Sequence, residues 1–180
     1  MRPMTNTHTL CAPGGFCRLP SLLLSLTIFA STAVLGQQAT FQVRSITPEA
    51  ALRAGRAALE ICAKNGHQVA VAVNDRAGLP LVMLRDRFAG PHTPDTATNK
   101  AYTALSFKLD TTSFARLTQP GEAASGIRNL PRVVAIGGGR LIESAGSIVG
   151  SIGVSGAPGG DADDVCAKAG IAAIQDDLEL

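Results

Sequence analysis

GSIGVSGAPGGDADD, Gly150 to Asp164, is the densest run of chemically suggestive residues in this 180-residue sequence. A glycine-rich loop that opens a helix can cradle phosphate, because free N–H groups and the positive end of the helix dipole face the anion. Here the first turn would already hold Asp161, Asp163 and Asp164, which answer the same N–H groups and the same dipole. No lysine or arginine is nearer than Lys168, and neither GK[ST] nor GxGxxG occurs in order. Nucleotide binding is not expected at this loop. The three carboxylates could contact a hard cation, but capping of the following helix, by Asp161 first, accounts for them more simply.

Hydrolytic chemistry finds no support either. Ser144, Ser147, Ser151 and Ser155 lack a GxSxG elbow, and the two histidines after residue 36 have no triad-like spacing. The remaining donors are His67, His92, Met83, Tyr102, Lys108, Cys62 and Cys166. His92, in AGPHTPD, precedes a helix start; it is expected to be exposed, as a ligand or as a solvated loop residue. His67 follows a helix stop and reads as a surface residue, and Met83 alternates with Leu81 on a strand and reads as core filling. Cys62 and Cys166 have no zinc-like spacing. Each falls in a predicted helix, so they form a disulfide if those helices pack side by side, or are two small buried apolar residues.

The elements that must position these residues begin after an N-terminal leader. LPSLLLSLTIFASTAVLG, Leu19 to Gly36, follows Arg2 and Arg18 and reads as the apolar core of a secretory signal. Cleavage is expected after Gly36 or near Ala33, the alternative being a retained anchor. Cys11 and Cys17 would leave with the leader, and no cysteine follows the small residues as a lipoprotein would require. Residues 1–36 contain two arginines and no acid, so residues 37–180 carry 14 Lys+Arg against 14 Asp+Glu. That balance offers no nucleic-acid footprint. The expectation is a single exported domain over 37–180, periplasmic or secreted, without a membrane span after cleavage.

SITPEAALRAGRAALEICAKNG reads as a helix with Thr47 as cap, Pro48 at the first position and Gly66 as the stop. HQVAVAVND is a strand buried on both faces; NDRAG is a turn, and LPLVMLRD is the returning strand. A second helix starts at Thr93-Pro94-Asp95, with Thr93 as cap, and runs to about Phe107. DTTSFARL predicts one helical turn capped by Thr112 or Ser113, and residues 118–131 a mobile loop. PRVVAIGGG, RLIESAG and SIVGSIGVSG predict three further strands before the closing helix DADDVCAKAGIAAIQ. This order predicts an α+β domain with a five-stranded antiparallel sheet and helices packed on it.

Three blocks, VAVAVNDRAGLPLVMLRDRFAG, ATNKAYTALSF and IVGSIGVSGAPGGDADDVCAKAGIAAI, resemble the haem-degrading domain family of GlcG/HbpS-type proteins. The likeness covers about residues 46–175, with all three blocks in order. It implies a profilin-like fold, assembly into homo-oligomers, and binding of haem, in some members with degradation. It also implies accessory or sensory roles beside a partner protein. Two further readings stay open: a non-enzymatic module for another small metabolite, and an accessory subunit that docks on a partner.

Haem requires an apolar slot, an axial donor and cations for its propionates. The resemblance places a haem-contacting threonine at Thr111 or Thr112, although Lys108-Leu109-Asp110 stands where the family often has Arg-Pro. His92 is the candidate axial ligand, and Lys108, with Lys100 eight residues before it, a candidate propionate partner. No catalytic residue is implied: the iron would supply the oxidative chemistry.

Overall fold

The computed structural model describes residues 39–179, and everything from Thr40 onward belongs to one compact unit. The expected leader, its cleavage sites, Cys11 and Cys17 lie outside the described residues. The first helix, α1 (Pro48–Lys64), begins as its residues dictate: the Thr47 hydroxyl accepts from the Ala50 N–H at 3.2 Å. Strands β1 (Ala70–Asp75) and β2 (Pro80–Arg85) follow as an antiparallel pair. In the turn between them Gly78 has φ +83°, and the Asp75 carboxylate accepts from the Ala77 and Leu79 N–H groups.

The next helices are α2 (Thr93–Phe107) and the short α3 (Thr111–Leu117). Strands β3 (Gly139–Ser144) and β4 (Ser147–Ser155) form a hairpin whose two turn residues, Ala145 and Gly146, are both left-handed. Helix α4 (Gly160–Ala172) and the short α5 (Gln175–Leu178) close the chain. The sheet order is β2-β1-β4-β3, antiparallel throughout.

The α+β class stands, but the described residues form four strands rather than the expected five. PRVVAIGGG does not extend the sheet: its backbone is drawn to α2 instead. The Val134 N–H donates to the Thr103 hydroxyl, and Arg132 is left-handed at φ +68°, stacked over the Tyr102 ring at 3.9 Å. Pairing resumes only at its end, where the Gly138 carbonyl accepts from the Val154 N–H. Residues 118–131, expected to be a mobile loop, are tied down by Arg128. Its guanidinium donates to the Thr118 carbonyl and hydroxyl and to the Ala115 carbonyl.

The sheet is sandwiched between helices. On one face Val71, Val73, Ile152, Val154 and Ile142 pack with α1 and α4 through Ala51, Ala54, Ala58 and Ala167. On the other face Ala70 and Ala72 meet Ala97 of α2. Small residues let that helix lie directly on the strand backbone: a Cβ at Gly153 would stand 2.0 Å from the Ala97 carbonyl oxygen. The burial of β1 on both faces is as expected. Met83 is not core: it lies on the edge strand β2, 38% exposed. Cys62 and Cys166, both fully buried, are joined by a disulfide that fastens α1 to α4, in place of two unlinked apolar residues.

Candidate functional site

A groove of about 390 Å³ opens where the start of α2 faces the glycine-rich loop between β4 and α4. His92, Thr96 and Ile136 line it together with Gly156, Ala157 and Gly159 of the loop. His92 is exposed and immediately precedes α2, with its ring lying over Gly90, where a Cβ would stand 2.9 Å from Cε1. Its side chain makes no capping bond to the helix. Thr93, expected as the cap, is inside the helix and buried, and its hydroxyl donates to the Gly90 carbonyl at 2.7 Å.

Lys100 and Asp163 also line this groove, and sequence reasoning did not pair them. The Lys100 ammonium donates to Asp163 Oδ2 at 2.6 Å and to the Val154 carbonyl at 2.9 Å. The two side chains are only 2% and 4% exposed. Lys100 is thus no surface charge, and its ammonium is engaged inside the protein. A signal for this was present in the sequence. Lys100 shares a helical stripe with Ala97, Ala101 and Ala104, the face that packs on the sheet. Asp163 likewise shares a stripe with Cys166, Ala167 and Gly170.

The aspartates of the loop do not cap α4 as expected. Gly159 is the N-cap residue, Asp161 is exposed, and no side chain bonds the free N–H groups there. Asp163 Oδ1 instead accepts from the Ala157 N–H at 3.0 Å, and Asp164 Oδ1 from the Gly138 N–H at 3.0 Å. Gly138 must be glycine: its φ is +110°, and a Cβ would stand 2.6 Å from Asp163 Cβ.

Of the threonines, Thr111 is fully buried, and its hydroxyl accepts from the Gly139 N–H at 2.8 Å. Thr112 is half-buried and donates to Asp164 Oδ2, one residue from the groove-lining Asp163. Neither Thr112 nor Ser113 caps α3. That cap is Asp110, whose carboxylate accepts from the Ser113 N–H at 2.8 Å. Lys108 is exposed at the far end of α2 from His92, beside a separate depression lined by Phe41, Arg44, Arg76 and Ser147. The structure therefore places His92 on the groove, links Thr112 to it only through Asp164, and puts Lys108 on a different depression. The helix between His92 and Lys108 rises roughly 22 Å at 1.5 Å per residue.

Two carboxyls here are displaced in opposite directions. Burial pushes Asp163 upward; the Lys100 ammonium and the Ala157 N–H pull it back without cancelling that rise, and the charge of Asp164 adds to it. A raised folded-state value means the fold favours the protonated form. The stability Asp163 contributes through its proton is present at acid pH and is lost as pH rises through that value. Burial also pushes Asp110 upward, but hydrogen bonds from the Ser113 N–H and hydroxyl, with Arg140 and Arg116 nearby, bring it below the ordinary carboxylate range. Its stabilisation is present above the ordinary value and lost as pH falls through the lowered one. Asp110→Ala is expected to cost about 1 kcal/mol at neutral pH. Urea unfolding should show that deficit closing at acid pH, as the wild-type carboxylate takes up its proton. An equal deficit at both pH values would contradict an ionised cap.

The family described as haem degrading protein, HbpS-like, matches residues 46–172. This chain belongs to the HbpS-like haem-degrading protein family. A double mutant of Streptomyces reticuli HbpS is 42% identical, with 74% of this chain and 89% of that one covered at a TM-score of 0.69. The Klebsiella pneumoniae protein ORFY, of family DUF336, is 28% identical over 76% of this chain and 95% of that one, with a TM-score of 0.73. A PduOC:Heme complex is 30% identical over 72% of this chain and 95% of that one, with a TM-score of 0.69. None of the curated proteins matches the chain. Membership in the HbpS-like family, with a haem complex among its structural neighbours, supports haem as the cofactor.

The groove's donors fit such a group. An exposed imidazole stands at the mouth, Ile136 and Ala157 offer apolar surface, and the buried ammonium and carboxylate neutralise one another.

Proposed function

We propose that this HbpS-like chain is an exported haem-binding protein that holds haem, or a related tetrapyrrole, at the groove fronted by His92. It acts as a homo-oligomer and as an accessory or sensory factor beside a partner protein. The observation that carries the haem reading is the exposed, uncapped imidazole of His92 at the mouth of a groove in a chain of this family. The Cys62–Cys166 disulfide supports export, since such bonds persist in oxidising compartments. Among the described residues no helix is long and apolar enough to cross a membrane.

In this reading a nitrogen of the His92 imidazole holds the iron, and the apolar side chains of Ile136 and Ala157 keep water from the ring face. Thr112 acts one step back, through its hydrogen bond to Asp164. When bound, the haem iron supplies the redox chemistry of any degradation, and the protein supplies orientation and exclusion of water. A groove of about 390 Å³ lies near the small end for ligand sites. It shelters part of a macrocycle, which a second copy of the chain would finish covering.

A haem titration of residues 37–180, followed by absorbance and by size, tests the reading. The expected result is a saturable Soret shift at one site per subunit or per dimer, with haem held at least about tenfold more weakly by His92→Ala. A Soret band that decays on adding peroxide would mark turnover; a stable band would mark a binder. The absence of any saturable shift would overturn the haem reading.

A further inference from the structure

We propose that Asp163 and Asp164, at the start of α4, are positioning residues that set the two walls of the His92 groove, with Lys100 as the counter-ion that makes the arrangement possible. The inference rests on the haem reading of that groove. Each carboxylate joins two segments that are distant in the chain. Asp163 accepts from the Ala157 N–H of the glycine loop and from the Lys100 ammonium of α2. Asp164 accepts from the Gly138 N–H, two residues after the groove-lining Ile136, and from the Thr112 hydroxyl of α3. Lys100 completes the set by donating to the Val154 carbonyl at the end of β4, just before the loop begins.

One turn of helix therefore fixes four separate segments around a single opening. Asp163, Lys100 and Ala157 are all part of its lining, so loss of the pair frees the loop wall against the α2 wall. Backbone N–H groups held by ionised carboxylates make stronger bonds than neutral pairs. Gly138 is wedged in the same cluster, 3.0 Å from Lys100 Nζ at the position its Cβ would take.

The test uses the apo and haem-loaded protein with two variants. Lys100→Met combined with Asp163→Leu replaces both charges with apolar groups of similar length, a change that buried pairs often tolerate. A control, Lys100→Met with Asp163→Asn, keeps an oxygen acceptor for the Ala157 N–H without leaving the buried ammonium unpaired. In the apo double variant, hydrogen exchange at Ala157 is expected to quicken about tenfold, while the Val71 amide in β1 keeps its protection and reports an intact core. Haem affinity should fall about tenfold, with a displaced Soret maximum, because the ligand no longer meets one fixed groove width. The control should stay within about twofold of the wild type in Ala157 exchange and retain most of the affinity.

A folded double variant with wild-type protection at Ala157 would overturn the proposal. So would one whose loop is freed while affinity and Soret maximum stay unchanged. If the double variant does not fold, the control decides: Ala157 exchange as fast as in free peptide would show that the oxygen acceptor is not what holds the loop. A wild-type protein without a saturable Soret shift overturns the haem reading instead, and exchange at Ala157 then judges the clamp alone.

Discussion

Replacing Cys62 and Cys166 together with alanine is expected to lower the unfolding free energy by about 4–5 kcal/mol at 25 °C. The two residues are 104 apart in sequence, so the bond closes most of the described chain into one loop. Cross-linking removes closure entropy from the unfolded chain, and that entropy grows with the logarithm of the loop length. Nothing in the folded structure needs to change for the effect to appear, because α1 and α4 already lie side by side with Cα atoms 5.5 Å apart. Thermal melting should show a fall on the order of 10–15 °C for a domain of this size. Both sulfurs are buried, so mild reductant should leave the wild-type midpoint unchanged until the protein opens. A double alanine variant melting within about 3 °C of the wild type would show that the bond contributes little.

The second large effect concerns Lys100. Lys100→Met alone should cost about 3–5 kcal/mol at neutral pH, because it strands the Asp163 carboxylate in the interior with only the Ala157 N–H as partner. Combining it with Asp163→Leu should recover most of that loss, since neither charge then has to be desolvated. The sign of the pH dependence separates this account from simple loss of packing. Asp163 is already held above the ordinary carboxylate range, and removing the ammonium raises it further. The single variant should therefore regain stability as pH is lowered from neutral into the acid range and Asp163 binds its proton in the folded state. A deficit that stays constant over that interval would mean that lost packing, and not the stranded charge, is the cause.

Local features of the fold were legible wherever a short run of residues decides the outcome. Thr47-Pro48-Glu49 starts α1 as its chemistry dictates, and the alternating valines of β1 are buried on both faces as their pattern requires. The valines of PRVVAIGGG obey the same strand pattern yet join no strand of their own. A hydroxyl from α2, contributed by Thr103, takes the N–H that a neighbouring strand would have used. Propensity describes what a segment can do, and the competing partner comes from elsewhere in the chain. Capping chemistry failed for a related reason. Helix α4 starts at Gly160, so Asp161, the expected cap, falls within its first turn, and tertiary packing carries the oxygens of Asp163 and Asp164 to Ala157 and Gly138.

His92 was legible as an exposed donor, because Gly-Pro before it and Thr-Pro after it mark a helix start at the surface. The residues behind it were less so, since Lys100 and Asp163 are 63 positions apart and a lysine alone reads as a surface charge. By itself the sequence determined the family, the α+β class and the approximate place of nearly every helix and strand. Those rest on periodicity, caps and contiguous motifs that act over a few residues. Only the tertiary structure decided that Cys62 meets Cys166, that Lys100 is buried against Asp163, and that Lys108 stands away from the groove. Each is a contact or separation between distant parts of the chain, set by how the helices pack on the sheet; the helical stripe that carries Lys100 marks its burial but not its partner.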